Sequence, residues 1–289
     1  MSRDNFIRRH PLAAYFSLAY LISWAIWSPL VTAALGWTRT LVPSWFHYLG
    51  AVGPVAAALI VAGVTEGGRG TRTLLGHLAR WRIGWAWWLI AALGPFAAFV
   101  LASAIVRLGG APWPAFSRFG ITREFPGMGL LATFALYALT FGGLGEETGW
   151  RGFALPRLQT RRGALAATAW LTIGWAVWHW PAFLYREVYR GLAPGMVFGF
   201  VLSMFVGAIL LTWLFNSSGG SLLPILLFHS TINVAYQSEI ARPDIVMVMS
   251  VLFTLGAVLV VVFGGPQNLA RRPRMTAPLV SHSGLRAAA

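Results

Sequence analysis

The sequence predicts an all-α protein that crosses a membrane about eight times. Three observations carry this. Hydrophobic residues fill 57% of 289 positions and charged residues only 10%, against about 25% charged in an ordinary soluble domain. Mean hydropathy is +0.66. Apolar runs of the length that spans a bilayer, about 20 residues, recur from one end of the chain to the other.

Taken in order, the runs fall at residues 11–36, 46–65, 83–106, 127–149, 164–185, 195–215, 221–238 and 244–265. The first is too long, and lacks the small-residue cleavage site, to be a removable signal peptide, so it reads as a span. After the second, residues 71–82 mix Leu74, Leu75, Leu78 and Trp81 with Arg72, His77 and Arg80, a pattern for a short interfacial helix or a solvated loop. The fourth run is expected to continue past Arg151 almost to Arg161, kinked by Pro156. Residues 1–265 then form a single transmembrane domain, and 266–289, rich in Pro, Ser and Arg, read as a disordered cytoplasmic tail. Trp37, Trp45, Trp81, Trp85 and Trp213 sit near run ends, where indoles anchor helices at the membrane interface.

The net charge of +14 comes from 22 basic residues, all arginine, against eight acidic ones. Nucleic-acid binding is not the reading, because the arginines lie in connectors and tails, where they face lipid headgroups and set orientation. Counted in alternate connectors, fifteen fall on one side and seven on the other. That asymmetry predicts an even number of spans with both termini cytoplasmic, in a plasma or inner membrane. The chain has no cysteine, which removes a disulfide framework, a thiolate nucleophile and a Cys-built zinc site.

Charge inside hydrocarbon requires a reason. Asp4, Glu66, Glu124, Glu187, Glu239 and Asp244 avoid the problem in tails, connectors or run ends, whereas Glu146 and Glu147 end an apolar run. Arg151 lies one helical turn beyond Glu147 and can pair with it. Neighbouring residues on a helix point about 100° apart, so Glu146 is left free to face a cavity. His179 lies deep in the fifth run, just before Pro181. His229 and Asn233 share one face of the seventh at i and i+4. At 1.5 Å per residue, Glu146, His179, His229 and Asn233 lie about 20, 24, 15 and 21 Å from one membrane surface, close enough in depth to form one layer.

A carboxylate and imidazoles in a dry cavity can activate water, and His229 and Asn233 are the residue types for an oxyanion site. The composite predicts a hydrolase inside the membrane. Zinc is the competing use of the same groups, with Glu146, His179 and His229 as ligands and water in an open position. The His-Glu-x-x-His helix of soluble zinc proteases is absent, as are a Gly-x-Ser-x-Gly elbow and a phosphate loop.

Three motifs resemble those of the CAAX prenyl protease and bacteriocin-processing family of intramembrane proteases. They are Glu146-Glu147-x-x-x-Arg151, Trp175-x-x-x-His179 and His229-x-x-x-Asn233, in order on separate helices, with the segment from Phe215 to Pro224 resembling the lead-in to the third. The resemblance covers about residues 127–240. It implies an eight-helix fold enclosing an intramembrane cavity, with Glu146 and His179 activating water, His229 and Asn233 forming the oxyanion site, and Glu147 and Arg151 in support. It further implies a hydrophobic or lipidated peptide substrate entering from the lipid, with a divalent metal such as zinc left open. A non-catalytic scaffold or bacteriocin self-immunity protein is the alternative, and a small transporter using the two glutamates as proton carriers is a third.

Overall fold

A computed structural model describes residues 6–39 and 41–277. The described residues are helical, with no strand and a single antiparallel bridge between Thr122 and Ser238. Helix α1 (Phe6–Arg9) leads into α2 (Pro11–Ala34), and a 3-10 stretch (Ser44–Ala51) runs into α3 (Val52–Gly76), followed by α4 (Trp85–Leu108). Then come α5 (Leu130–Leu139), α6 (Leu144–Gly149), a π turn (Trp150–Ala154) and α7 (Leu155–Arg161). The rest are α8 (Ala164–Trp178), α9 (Ala182–Tyr185), α10 (Pro194–Ser217), α11 (Leu223–Gln237) and α12 (Pro243–Asn268). Among the described residues, five stretches are long and apolar enough to cross a bilayer: α2, residues 44–76, α4, α10 and α12. The protein is an all-α polytopic membrane protein, and each of the eight predicted runs contains helix.

The motif-bearing runs depart most from prediction. The fourth does not continue unbroken: it stops at Leu139 and restarts at Leu144. Gly142 takes a left-handed φ of 99°, and a Cβ on Gly143 would lie 1.6 Å from the Ala138 carbonyl oxygen. Only glycine allows this turn. The restarted helix does run to Arg161, as expected. Pro156 cannot donate to the carbonyl four residues back and crowds it, and the helix widens just before it into a π turn. The fifth run ends at Trp178, seven residues early, because Pro181 follows and the chain turns into α9.

Glycine spacing explains why the segment 144–158, though not the most apolar, is buried almost throughout. A Cβ on Gly145 would lie 2.7 Å from the Ala51 carbonyl oxygen, and one on Gly149 2.6 Å from that of Pro54 and 2.5 Å from the Tyr15 hydroxyl. This small-x-x-x-small face lets the backbone approach the start of α3 closely.

Contacts at the two ends sort the connectors. At one end, the Arg80 guanidinium donates to the Gly219 carbonyl, Arg157 pairs with Glu66, and the Ala277 amide donates to the Pro156 carbonyl. At the other, Arg118 pairs with Glu239, Arg186 with Glu124 and Arg242 with Asp244. The connectors predicted to share the arginine-rich side therefore do meet.

Three readings are corrected. Arg151 is fully buried beside Glu147 rather than marking a membrane surface. Residues 71–76 complete α3 beyond a break at Gly67, and His77 is buried with its Nδ1 2.6 Å from the Gly220 carbonyl oxygen, so this stretch packs on the α10–α11 turn. The tail does not begin at Pro266: residues 269–277 lie along the bundle, with the Met275 amide donating to Asn216 Oδ1 and Arg274 Nε to the Gln159 carbonyl. Residues 1–5, 40 and 278–289, which include Arg3, Asp4, Arg286 and the rest of the expected tail, lie outside the described residues.

Candidate active site

The first turn of α6 presents three faces to three neighbours, as a turn of about 100° per residue requires. Gly145 and Gly149 face α3, Glu146 faces α8 and Glu147 faces α11. Glu146 Oε2 accepts hydrogen bonds from Trp175 Nε1 at 2.7 Å and Trp150 Nε1 at 3.2 Å. Oε1 carries no bond from any described residue. Glu147 Oε1 accepts from Arg151 Nη1 at 2.7 Å and from His229 Nδ1 at 2.6 Å. Both glutamates, Arg151 and His229 are buried.

Trp175 is the hub. Its indole holds Glu146, and its ring centre lies 5.7 Å from that of His179 and 5.6 Å from that of His229. The Arg151 guanidinium lies over the same ring at 5.0 Å, a cation–π contact. His179 Nδ1 donates to the Trp175 carbonyl at 2.8 Å. That bond fixes the neutral tautomer and leaves Nε2 as the basic nitrogen. Asn233 Nδ2 donates to the Phe141 carbonyl at 2.9 Å and has a second N–H to offer. The glycine turn closes over this face: a Cβ on Gly142 would lie 2.8 Å from Asn233 Nδ2 and 3.2 Å from the His229 ring.

Four of the six predicted residues, Glu146, Arg151, His179 and His229, thus contact one indole, Glu147 joins them through Arg151 and His229, and Asn233 lies across the glycine turn on the Phe141 carbonyl. The pairing of Glu147 with Arg151 is as read from spacing. What spacing did not reveal is that Glu147 also holds His229, and that Trp150 and Trp175 both donate to Glu146. Trp150 follows Glu146 by four residues, so the helical i, i+4 rule could have found it. Trp175 was visible only as the aromatic member of a motif. His47, in the 3-10 stretch, was missed. It bonds Tyr185 Oη at 2.6 Å and packs on Phe141 at 4.6 Å between ring centres. No local signal singles it out, since it sits among the aromatic residues that open the second run.

Among the described residues no three His, Asp or Glu side chains converge closely enough to hold a metal ion. Glu146, His179 and His229 as placed do not form the zinc set, and one oxygen or nitrogen of each is already engaged. Nor do these residues line either of two cavities of about 640 and 340 Å³. The smaller lies behind α6, against Leu144, Gly145 and Thr148.

The fold and site define a helical membrane protein that brings together two buried carboxylates, a buried and a half-buried imidazole and a half-buried amide from three broken or short helices. Residues 128–235, which contain every one of these motif residues, match the Rce1-like family model, described as type II CAAX prenyl endopeptidase Rce1-like. The chain is also 28% identical over 130 residues to the CAAX prenyl protease 2 of Methanococcus maripaludis, covering 43% of this chain and 48% of that protein. The match thus spans about half the length of the curated relative. Both findings bear out the family resemblance carried by the three motifs.

Proposed function

We propose that the protein is an intramembrane endopeptidase that hydrolyses a peptide bond of a hydrophobic or lipidated substrate. The observation that carries this reading is the convergence on Trp175 of the Glu146 carboxylate and the His179 and His229 rings. The family match supports a peptidase in general terms.

In this scheme a water molecule lies between Glu146 Oε1 and His179 Nε2. Glu146 takes its proton as the oxygen attacks the scissile carbonyl carbon. His179 accepts a hydrogen bond from the same water and orients it. The oxyanion that forms is met by the second N–H of Asn233 and by Nε2–H of His229. Because His229 Nδ1 already donates to Glu147, Nε2 can donate only if the ring is an imidazolium. The charges then balance: Glu146 and Glu147 against Arg151 and His229. When the C–N bond breaks, Glu146 returns the proton to the leaving nitrogen. No step is routed through a metal. We assign the arginine-rich end to the cytoplasm of a plasma or inner membrane, following the positive-inside rule, and residues 1–265 to one membrane domain.

The test is hydrolysis of a library of hydrophobic and prenylated peptides by the purified protein in detergent, against Glu146→Gln and His179→Ala. Loss of cleavage in both variants, with unchanged melting, is the expected result. Cleavage at the wild-type rate in both would show the assignment to be wrong. A deletion phenotype fully rescued by Glu146→Gln would instead favour a scaffold or self-immunity role.

A further inference from the structure

A groove of about 640 Å³ lies between α4, α10, α12 and the chain after α12. It shares no lining residue with the candidate active site. Its walls are apolar, including Leu210, Leu259, Val260 and Phe263, and Gly256 leaves room where a side chain would otherwise stand, while Gly264 lets the chain at Ala270 pass close to α12. Trp87 and Trp213 also line it, their rings in edge contact at 5.4 Å. At the arginine-rich end it is closed by Arg271 and Arg272. Both are exposed, and neither forms an ion pair with any described residue. Glu66, the acid of this end, is already paired with Arg157.

The dimensions match one leaflet. From Gly256 to Gly264 the α12 wall rises about 12 Å, close to half of the roughly 30 Å hydrocarbon core. An apolar trough of that depth, with indoles beside it and two free guanidiniums at its mouth, is complementary to one amphipathic anion. Guanidinium groups bind phosphate through paired N–H donors.

We propose that this groove binds one anionic glycerophospholipid, its acyl chain against Gly256 and its phosphate on Arg271 and Arg272. The inference does not depend on the peptidase reading. The occupant is a lipid of the leaflet at this end of the bundle, and the site holds it by charge as well as by shape.

The full chain is reconstituted in vesicles of phosphatidylcholine containing a minority of phosphatidylglycerol, extracted gently, and the retained lipid read by native mass spectrometry. One phosphatidylglycerol per chain, enriched over its share of the vesicle, is expected. The double variant Arg271→Gln/Arg272→Gln should weaken that retention about thirtyfold, from the attraction each basic residue has for an anionic lipid surface, while leaving the melting temperature in pure phosphatidylcholine unchanged. Gly256→Phe, whose Cβ meets only Leu210 at an ordinary 3.7 Å, should fill the trough and abolish retention of either lipid. Retention of the two lipids by the wild type in proportion to their shares of the vesicle overturns the proposal, as does unchanged phosphatidylglycerol binding in the double arginine variant. Complete displacement by inorganic phosphate would also overturn it, by reducing the site to a surface ion site.

Discussion

The pair Glu147–Arg151 allows stability and activity to be separated. Both side chains are fully buried, 2.7 Å apart, so removing one partner leaves an uncompensated charge in the core at about 3–5 kcal/mol. Glu147→Gln or Arg151→Met alone should therefore lower the unfolding midpoint by about 6–20 °C, on the scale of 2–4 °C per kcal/mol for chains of this size. Replacing both removes both charges, and such replacements are often neutral, so the double variant should melt close to the wild type. Activity should behave differently. Glu147 also holds His229 at 2.6 Å, and without its carboxylate the imidazolium needed at the oxyanion is unsupported. Loss of one oxyanion donor lowers kcat by about 10²–10³. That loss is expected in Glu147→Gln and in the double variant alike, and less in Arg151→Met, which keeps the carboxylate on His229. The assays are tryptophan fluorescence melting in detergent and peptide hydrolysis at saturating substrate. A double variant that recovers both melting and turnover would refute the reasoning, because Glu147 would then serve only to neutralise Arg151.

Other outcomes follow from the same geometry. Glu146→Gln keeps an acceptor for both indoles, so melting should hold while kcat falls by about 10²–10⁴, the usual contribution of a general base; an unchanged kcat would remove Glu146 from the mechanism. Trp175→Phe keeps the ring beside His179 and His229 but deletes the N–H on Glu146, a charge-assisted bond of about 1.5–3 kcal/mol. Turnover should fall roughly ten- to a hundredfold, with a smaller change in KM. Gly149→Ala places a Cβ against the Pro54 carbonyl oxygen at 2.6 Å and should destabilise by about 1–3 kcal/mol through overpacking. Gly195→Ala meets nothing within 4 Å and is the control; equal melting of the two would show that the close approach is not needed.

Much of this was legible in the sequence because lipid imposes simple rules. Run length placed a helix in each of the eight stretches, and i, i+4 spacing paired Glu147 with Arg151 and put His229 and Asn233 on one face. Sequence reasoning failed where tertiary partners decide. Gly142 and Gly143 break the fourth run because of what their missing side chains would strike, and hydropathy does not see that. Arg151 reads as a headgroup anchor by composition, yet a carboxylate one turn away makes its burial tolerable. Residues 269–277 look disordered by content and are held by the Asn216 and Gln159 side chains, which lie more than fifty residues upstream. His47 needed coordinates altogether.

The helices that carry the motifs are also the broken or short ones, and the physics of helix ends supplies a reason. A helix that stops inside the bundle leaves carbonyls without partners, which hydrocarbon does not tolerate unless protein satisfies them. At the end of α8 the His179 amide turns back to the Ala176 carbonyl at 3.1 Å, which frees the Trp175 carbonyl, and the His179 side chain fills that place through Nδ1. At the break before α6 the Phe141 carbonyl is taken by Asn233. Two proposed catalytic side chains therefore cap the backbone breaks that position them. The cap on Trp175 also decides the chemistry of His179, because Nδ1 must carry the proton to make it and Nε2 is then left to accept one. A continuous helix through residue 179 would use the Trp175 carbonyl for its own ladder, release the ring, and lose the tautomer along with its aim.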